Sequence, residues 1–405
     1  MSPNCIVIYP AEFTLKGHNR RLFEARLRAD LERRLGAAGI FVPVRGGHDR
    51  LHCNPPPAQP EAAPGRARHT PGIARLATAI QLPPTAGHPD GLAPLEAALL
   101  ALARERPAAG RRYAVRVRRS DKRIAATSIE LERRFGAAIA AGSDWQHVDL
   151  RQPDITFHVD VHPRASYVYC EPLPGAGGLP VGSADPLIAL LSGGHDSPVA
   201  ACLLARRGSP VELVHFAAAH VERARVAENL VARIGARLSR HLGRTRLHIL
   251  PSTYFDLALS GPPSGVEVLL LRRFMARAAA HLALRHGAGG IVTGDSLSQV
   301  ASQTLANMAS MDAAVELPIL RPLIGLDKQQ IIALAREIGT FELSAQPYKD
   351  CCALLGREPR TRSVPARLAE LEALRLADYP ALLQRTLNDA LVIELEDGRL
   401  SVAPP

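Results

Sequence analysis

Apolar residues along this chain recur in two rhythms that alternate in blocks. Residues 5–9 (CIVIY) form a short apolar run that reads as a strand. Residues 19–38 then place Leu22, Phe23, Leu27, Leu31 and Leu35 at helical spacing. One or two further strands fit 40–53, which makes a small α/β unit. Residues 54–72 (NPPPAQPEAAPGRARHTPG) are rich in Pro, Ala, Gly and Arg and read as a linker or long loop, extended by its prolines. A second unit runs from about Gly72 to Pro172. Its pattern predicts strands at 75–82, 112–119, 155–161 and 166–171, and helices at 92–105 and 127–141. A Pro/Gly linker, EPLPGAGGLPVGS, follows. From about 182 to 375 strands (187–191, 211–216, 246–250, 290–293) alternate with helices (197–207, 219–237, 266–286, 327–338). That alternation predicts a parallel sheet with helices on both faces. The tail, 366–405, holds one or two helices and a short strand.

Length and composition bound the class. The chain has 405 residues, enough for two to four domains, and 47% of them are hydrophobic, ordinary for a globular core. No apolar run reaches the 18–20 residues or so of a membrane span. The start, MSPNCIVIYP, lacks the basic and long apolar regions of a signal peptide, so a cytoplasmic location is expected. The formal net charge of +10 favours a polyanionic partner, although Arg dominates and only four lysines occur. Six cysteines (Cys5, Cys53, Cys170, Cys202, Cys351, Cys352) include no CxxC pair, so free thiols are expected rather than disulfides or a structural zinc site.

The chemistry concentrates where a strand breaks into a helix. Residues 187–197 read LIALLSGGHDS, and a helical pattern follows at once. Two glycines let the backbone turn tightly, and the N–H groups of a new helix point at an anion that its dipole favours. Ser192 and Ser197 add hydroxyls, and Asp196 suits a Mg²⁺ ion beside phosphates. No Gly-Lys-Ser/Thr follows, so this is not a Walker loop. SGGxDS instead resembles the PP-loop of the ATP pyrophosphatases, which split ATP between its α- and β-phosphates and adenylate a substrate. The plain alternative is a Gly-rich turn with no ligand. In a parallel sheet the ligand lies outside the carboxyl ends of the strands, where this loop falls.

Several longer motifs fall in one order: GAGGLPVG, LLSGGHDSPVAA, VHF, RRFM, TGDSLSQVASQTLANM, ILRPLIGLDKQQIIALAREIGT and PYKDCC. Together they resemble the tRNA 4-thiouridine synthetase family, and the resemblance spans essentially the whole chain. Upstream, FTLKGHNRRLFE, HTPGIARLATA, VRVRRSDKRIAATSIELERRFGAAI and VDLRQPDITFHVDV are similar to that family's ferredoxin-like and THUMP domains. The resemblance implies an α/β chain with a ferredoxin-like domain over 1–58 and a THUMP RNA-binding domain over 59–172. A linker follows at 173–181, then a PP-loop adenylation and sulfurtransferase domain with a parallel sheet over 182–375 and a tail over 376–405. The usual Gly-Glu after the first strand reads Pro10-Ala11-Glu12. No room remains for the rhodanese domain of longer members, so the short form is expected and the thiamine role tied to that domain is not implied.

The implied reaction is ATP-dependent replacement of uridine O4 in tRNA by sulfur from a cysteine persulfide, giving 4-thiouridine. The alternatives are another PP-loop thiolase or adenylating enzyme, and a tRNA-binding protein without sulfur chemistry. By resemblance, Leu190, Leu191, Ser192, Gly193, Gly194, Ser197, His215, Phe216, Arg272, Gly294 and Gln303 line the ATP site, with Asp196 catalytic and Mg²⁺ near it. His215 and Phe216 would meet the adenine at a strand end, Arg272 a phosphate, and Asp295 is a further charged candidate. Each also reads as core or structure: Phe216 as packing, Arg272 and Arg273 as a solvated helix face. In the family the sulfur-carrying cysteine precedes a Pro by seven positions; counting back from Pro359 gives Cys352, with Cys351 beside it. Arg357, Arg360 and Arg362 are expected to favour its thiolate. Cys202, on the helix after the loop, reads first as core and second as a resolving thiol. Arg116, Arg118, Arg119, Lys122 and Arg123 form the expected RNA patch, extended by Lys16, Arg20 and Arg21; the alternative is a solvated Arg-rich edge. Expected partners are tRNA, a cysteine desulfurase or other persulfide donor, and a second copy of the chain as a homodimer.

Overall fold

Residues 5–9 are all buried, which is why the first strand, β1 (Cys5–Pro10), is a continuous apolar run rather than an alternating one. The computed structural model describes residues 3–12, 19–47, 49–56, 62–85, 91–262, 264–355 and 360–402. Two units, Met1–Gly178 and Leu179–Pro405, each hold their own core.

In the first unit, α1 (Arg20–Ala37) buries Phe23, Leu27, Leu31 and Leu35 on one face; Leu22, expected among them, points outward and is 51% exposed. Two short strands, β2 (Arg45–Gly47) and β3 (Arg50–Cys53), follow, so 40–53 holds both strands that its pattern allowed. The Pro-rich stretch is not all linker: Ala62–Ala67 forms a short helix, α2. Next come β4 (Ile73–Leu82), α3 (Ala93–Arg104), β5 (Arg112–Arg119), α4 (Ser128–Gly142), β6 (His147–Val148), β7 (Ile155–Val161), β8 (Ser166–Cys170) and β9 (Leu173–Pro174). The strands make one sheet in the order β2-β3-β1-β4-β8-β7-β5-β6, with β9 beside β4. β4 joins its halves: residues 73–79 pair with β1, and 80–82 pair with β8. A Thr127–Glu130 capping box starts α4, whose Leu131, Phe135 and Ile139 pack with α3 onto β5 and β7.

The second unit contains β10 (Leu187–Leu190), α5 (Asp196–Arg206), β11 (Val211–Ala217), α6 (Leu230–Leu242), β12 (Thr245–Pro251), α7 (Thr253–Ala258), α8 (Glu267–His286), β13 (Ile291–Val292), α9 (Leu305–Asp312), β14 (Ile319–Leu320), α10 (Lys328–Ile338), α11 (Phe341–Ser344), α12 (Cys351–Leu355), α13 (Pro365–Arg375), α14 (Tyr379–Asn388), β15 (Leu391–Glu396) and β16 (Arg399–Val402). The sheet order is β14-β13-β10-β11-β12-β15-β16. From β14 to β12 every pairing is parallel, as the alternation predicts. The tail supplies a hairpin, β15–β16, that adds antiparallel to β12. Alternate strand residues bury on opposite faces: Ala189, Leu213 and Leu247 with α5, α6 and α10; Ile188, Val214, Phe216 and Leu250 with α8. No helix among the described residues is long and apolar enough to cross a membrane.

Candidate functional site

The SGGHDS loop leaves the carboxyl end of β10 and runs directly into α5, the context its motif demands. The loop is held from within by its own hydroxyls. Ser192 N–H donates to Ser197 Oγ at 2.8 Å, the two serine hydroxyls lie 2.9 Å apart, and Gly194 N–H donates to Ser192 Oγ at 3.3 Å. The N-cap residue of α5, His195, makes no side-chain cap. The positive end of the helix dipole therefore faces the loop without a capping oxygen of its own.

The two glycines of the loop differ in what they do. A Cβ on Gly193 would lie 2.6 Å from Cδ1 of Tyr348, whereas one on Gly194 would meet only Ser192 Oγ, at 3.6 Å. Gly193 thus admits an aromatic ring, and its N–H donates to Asp350 at 3.3 Å. Gly294 is tighter still: its Cβ would sit 2.6 Å from Ser197 N and 2.8 Å from Asp196 C. The close approach expected at Gly294 is therefore to the first turn of α5 itself.

Beside the loop lies a cavity of about 260 Å³. Of the residues expected at the ATP site, Leu190, Leu191, Ser192, Ser197, His215, Phe216, Arg272, Gly294 and Gln303 line it; Gly193 and Gly194 do not. Asp196, Cys351 and Cys352 line it as well. His215 and Phe216 border the cavity while most of each ring is packed into the core. His215 is 2% exposed and lies between the Leu191 carbonyl, 2.9 Å from Nδ1, and the Tyr348 hydroxyl, 2.8 Å from Nε2. Burial lowers its pKa, so the neutral ring donates to Leu191 and accepts from Tyr348. Burial pushes Tyr348 up to about 12, which keeps it a donor. Phe216 packs against Phe274 edge-on.

Arg272 is tied down rather than solvated. Its Nη2 lies 2.6 and 2.8 Å from the two oxygens of Asp295, and its Nη1 donates to Ser302 O at 3.2 Å. Burial alone would raise the Asp295 carboxyl, but Arg272, the Thr293 hydroxyl and Arg321 together hold it below the usual range. Arg273, the other half of the expected solvated face, is 2% exposed and pairs with Glu372 at 2.9 Å. Gln303 donates to Asp295 at 3.2 Å, while its Oε1 is buried with no hydrogen-bond partner among the described residues. An acceptor left open in a cavity wall fits a ligand amino group.

Asp196 has two partners that the sequence reading did not assign. Lys328 Nζ lies 2.7 Å from one oxygen, and Gln299 Nε2 donates to the other at 2.8 Å. Lys328 opens α10 behind an Asp327–Gln330 capping box, and that start signal, DKQQ, was readable.

Cys351 and Cys352 begin α12, with Cys351 buried at 4% and Cys352 half-buried. Their thiols are split. The Cys351 thiol donates to Cys352, which raises Cys351 and lowers Cys352; burial opposes the lowering and Arg272 supports it. Cys352 is thus the more acidic thiol of the pair. Of the nearby arginines expected to do this, Arg360 turns its Nε to Ser264 O at 3.1 Å, Arg362 is not among the main influences on Cys352, and Arg357 and Pro359 lie outside the described residues. Cys202 is 1% exposed within the core on the α5–α6 face, its pKa pushed up to about 11 by burial, and it does not line the cavity.

The basic residues of the first unit are mostly engaged. Arg116 donates to Leu150 O at 2.6 Å and Arg119 to the Ile124 and Ala126 carbonyls at 2.5 and 2.9 Å. Arg118 pairs with Asp49 at 3.2 Å and Arg123 with Asp121 at 2.8 Å. Of the five, Lys122 alone is exposed without a partner among the described residues. Arg119 and Lys122 line a hollow of about 1020 Å³ together with Arg20, Arg21, Arg50 and Arg164; Arg116, Arg118 and Arg123 do not, and Lys16 lies outside the described residues.

Comparison with known proteins places these features. Residues 182–375 match a family model described as thiamine biosynthesis protein (ThiI), 5–77 one described as the ThiI ferredoxin-like domain, and 92–171 the THUMP domain. A probable tRNA sulfurtransferase of Geobacillus kaustophilus is 35% identical over 405 residues, covering 98% of each chain. One of Nocardia farcinica is 38% identical over 413 residues, covering 100% of this chain and 97% of its own. The fold also matches a crystal structure of a 4-thiouridine synthetase–RNA complex with bound ATP. There the TM-score is 0.83 and the identity 30%, covering 98% of this chain and 100% of that one.

Proposed function

The chain belongs to the ThiI family of tRNA sulfurtransferases, and from that premise we infer that it uses ATP to replace O4 of a uridine in tRNA with sulfur, giving 4-thiouridine. The observation that carries this reading is that the PP-loop and Cys352 line one cavity although 155 or so residues separate them. Activation and sulfur delivery need that meeting, because uridine O4 leaves only after adenylation and the sulfur must then reach C4 within bonding distance.

In the first step O4 attacks the α-phosphorus of ATP and pyrophosphate departs. The N-terminus of α5 and the Ser192 and Ser197 hydroxyls receive the phosphates, while Lys328 beside Asp196 adds positive charge. The open Gln303 Oε1 accepts from the adenine amino group. Asp196, Ser192 and Ser197 form an all-oxygen set of the kind Mg²⁺ takes, and a Mg²⁺ ion held there would neutralise phosphate charge. In the second step the outer sulfur of a Cys352 persulfide attacks C4 and AMP departs, leaving Cys352 joined to C4 through a disulfide link. A second thiol attacks Cys352 Sγ, 4-thiouridine leaves, and the new disulfide needs a reductant to reset. Cys202 is too deeply buried to be that thiol. The persulfide comes from a cysteine desulfurase or an equivalent donor. We assign the tRNA contact of the first unit to the hollow rimmed by Arg20, Arg21, Arg119 and Lys122.

The test is mass spectrometry of nucleosides from unmodified tRNA incubated with the protein, ATP, Mg²⁺ and a persulfide donor. The expected product is 4-thiouridine, formed only with ATP and lost in Cys352→Ser. Absence of thiouridine, or full activity in that variant, overturns the reading.

A further inference from the structure

A second cluster of chemically capable side chains sits at the other end of the same sheet. Glu212 is the second residue of β11, His248 lies in the middle of β12, and His286 is the last residue of α8. The ATP cavity is at the carboxyl ends of these parallel strands; Glu212 is near the amino end of its own. Glu212 Oε2 lies 3.0 Å from His248 Nε2 and 2.8 Å from His286 Nδ1. One ligand-capable atom from each residue falls within 4.8 Å of the other two.

From this convergence we propose that Glu212, His248 and His286 bind a zinc-class divalent metal ion. Two imidazole nitrogens and one carboxylate oxygen are a donor set for zinc rather than for Mg²⁺ or Ca²⁺, which take oxygen. Zinc–ligand distances of about 2.0–2.2 Å put tetrahedral ligand atoms about 3.4 Å apart. The two spacings from Glu212 Oε2 need to open by only about half an ångström. The surroundings are those of a supported site. Arg246 Nη2 holds the other oxygen, Oε1, at 2.7 Å, which leaves Oε2 to serve as a single ligand atom. Gly287, in the left-handed conformation, stops α8 directly after His286 and fixes where that ring starts. His248 is only 4% exposed, whereas Glu212 and His286 are 21% and 22% exposed, so the ion enters from one side and a water completes its shell.

The ion would act as a clip. It joins two strands and a helix whose ligands lie 36 and 74 residues beyond Glu212, contacts that the unfolded chain lacks. Binding only to the folded state raises stability.

The experiment uses the full chain, stripped with chelator and dialysed, and titrated with Co²⁺ and Zn²⁺. We expect one ion per chain, Co²⁺ visible bands of a four-coordinate site without thiolate charge transfer, and a Tm raised by roughly 5–10 °C at metal about 100 times Kd. Both signals disappear in His286→Gln and in Glu212→Gln, two partly exposed positions where the metal-free protein is expected to stay folded. ATP binding is unchanged in both. The proposal is overturned if the wild-type chain binds no ion, if the bands persist in both variants, or if they carry thiolate charge transfer. The last result would place the ion on Cys351 and Cys352 instead.

Discussion

Replacing Gly294 by Ala tests whether the ATP site depends on how closely two backbones approach. The new Cβ would lie 2.6 Å from Ser197 N and 2.8 Å from both Asp196 C and Ser197 Cα. Ordinary carbon contacts need about 3.5–4.0 Å, so the loop after β13 and the first turn of α5 must part by about 1 Å. Neither partner is a flexible side chain that swings aside. Overpacking of this kind costs up to about 3 kcal/mol. In a unit of this size that lowers Tm by roughly 6–12 °C. The same displacement moves Asp196 away from Lys328 and Gln299, and Ser197 from Ser192, so ATP affinity falls at least about tenfold. Gly194→Ala is the control, since its Cβ meets only Ser192 Oγ at 3.6 Å. Its Tm should stay within a few degrees, because Gly→Ala at an accommodating site changes stability by about 1 kcal/mol or less. The assays are thermal unfolding and ATP binding by calorimetry. A Gly294→Ala protein with wild-type Tm refutes the packing argument; one with lowered Tm and wild-type ATP affinity refutes the link between that packing and the site.

Three further substitutions probe other parts of the molecule. Cys351→Ala removes the thiol that donates to Cys352, so the Cys352 pKa should rise and its reactivity at low pH should drop; alkylation of Cys352 followed by mass spectrometry across pH measures this, and an unchanged midpoint contradicts it. Tyr348→Phe leaves Nε2 of the buried His215 without its donor, which costs about 1–3 kcal/mol and should appear as a lower denaturant midpoint. Lys122→Ala should weaken tRNA binding evenly across sequences and reduce the slope of log K against log salt by about 1, with Tm unchanged; an unaltered slope removes Lys122 from the interface.

How far the site was legible from the residues depended on where each partner lies in the chain. Local periodicity placed β5 at 112–119 to the residue and α8 within one, because each has many buried side chains in a single register. It misplaced the helix expected at 219–237. Asn229 is extended there and caps α6 by accepting from the Val231 and Ala232 N–H groups, which leaves a separate 3₁₀ turn before it. The tail pattern predicts a single strand, whereas Asp397-Gly398, both at positive φ, make the turn of a hairpin.

The cavity shows the same division more sharply. A loop built from Ser, Gly and Asp announces itself, because each residue type serves a local need. What sets its chemistry arrives from elsewhere in the chain: Lys328 and Gln299 on Asp196, Tyr348 on Gly193 and His215, Arg272 beside Cys352. Charge near a cysteine in sequence was a poor guide to charge near it in space, since Arg360 turns to the Ser264 carbonyl while Arg272, eighty or so residues upstream, lines the same cavity as the thiol and lowers its pKa. Glu212, His248 and His286 went unread for that reason too. Each is unremarked in its own segment, and only the pairing of β11 with β12 under the end of α8 makes them neighbours.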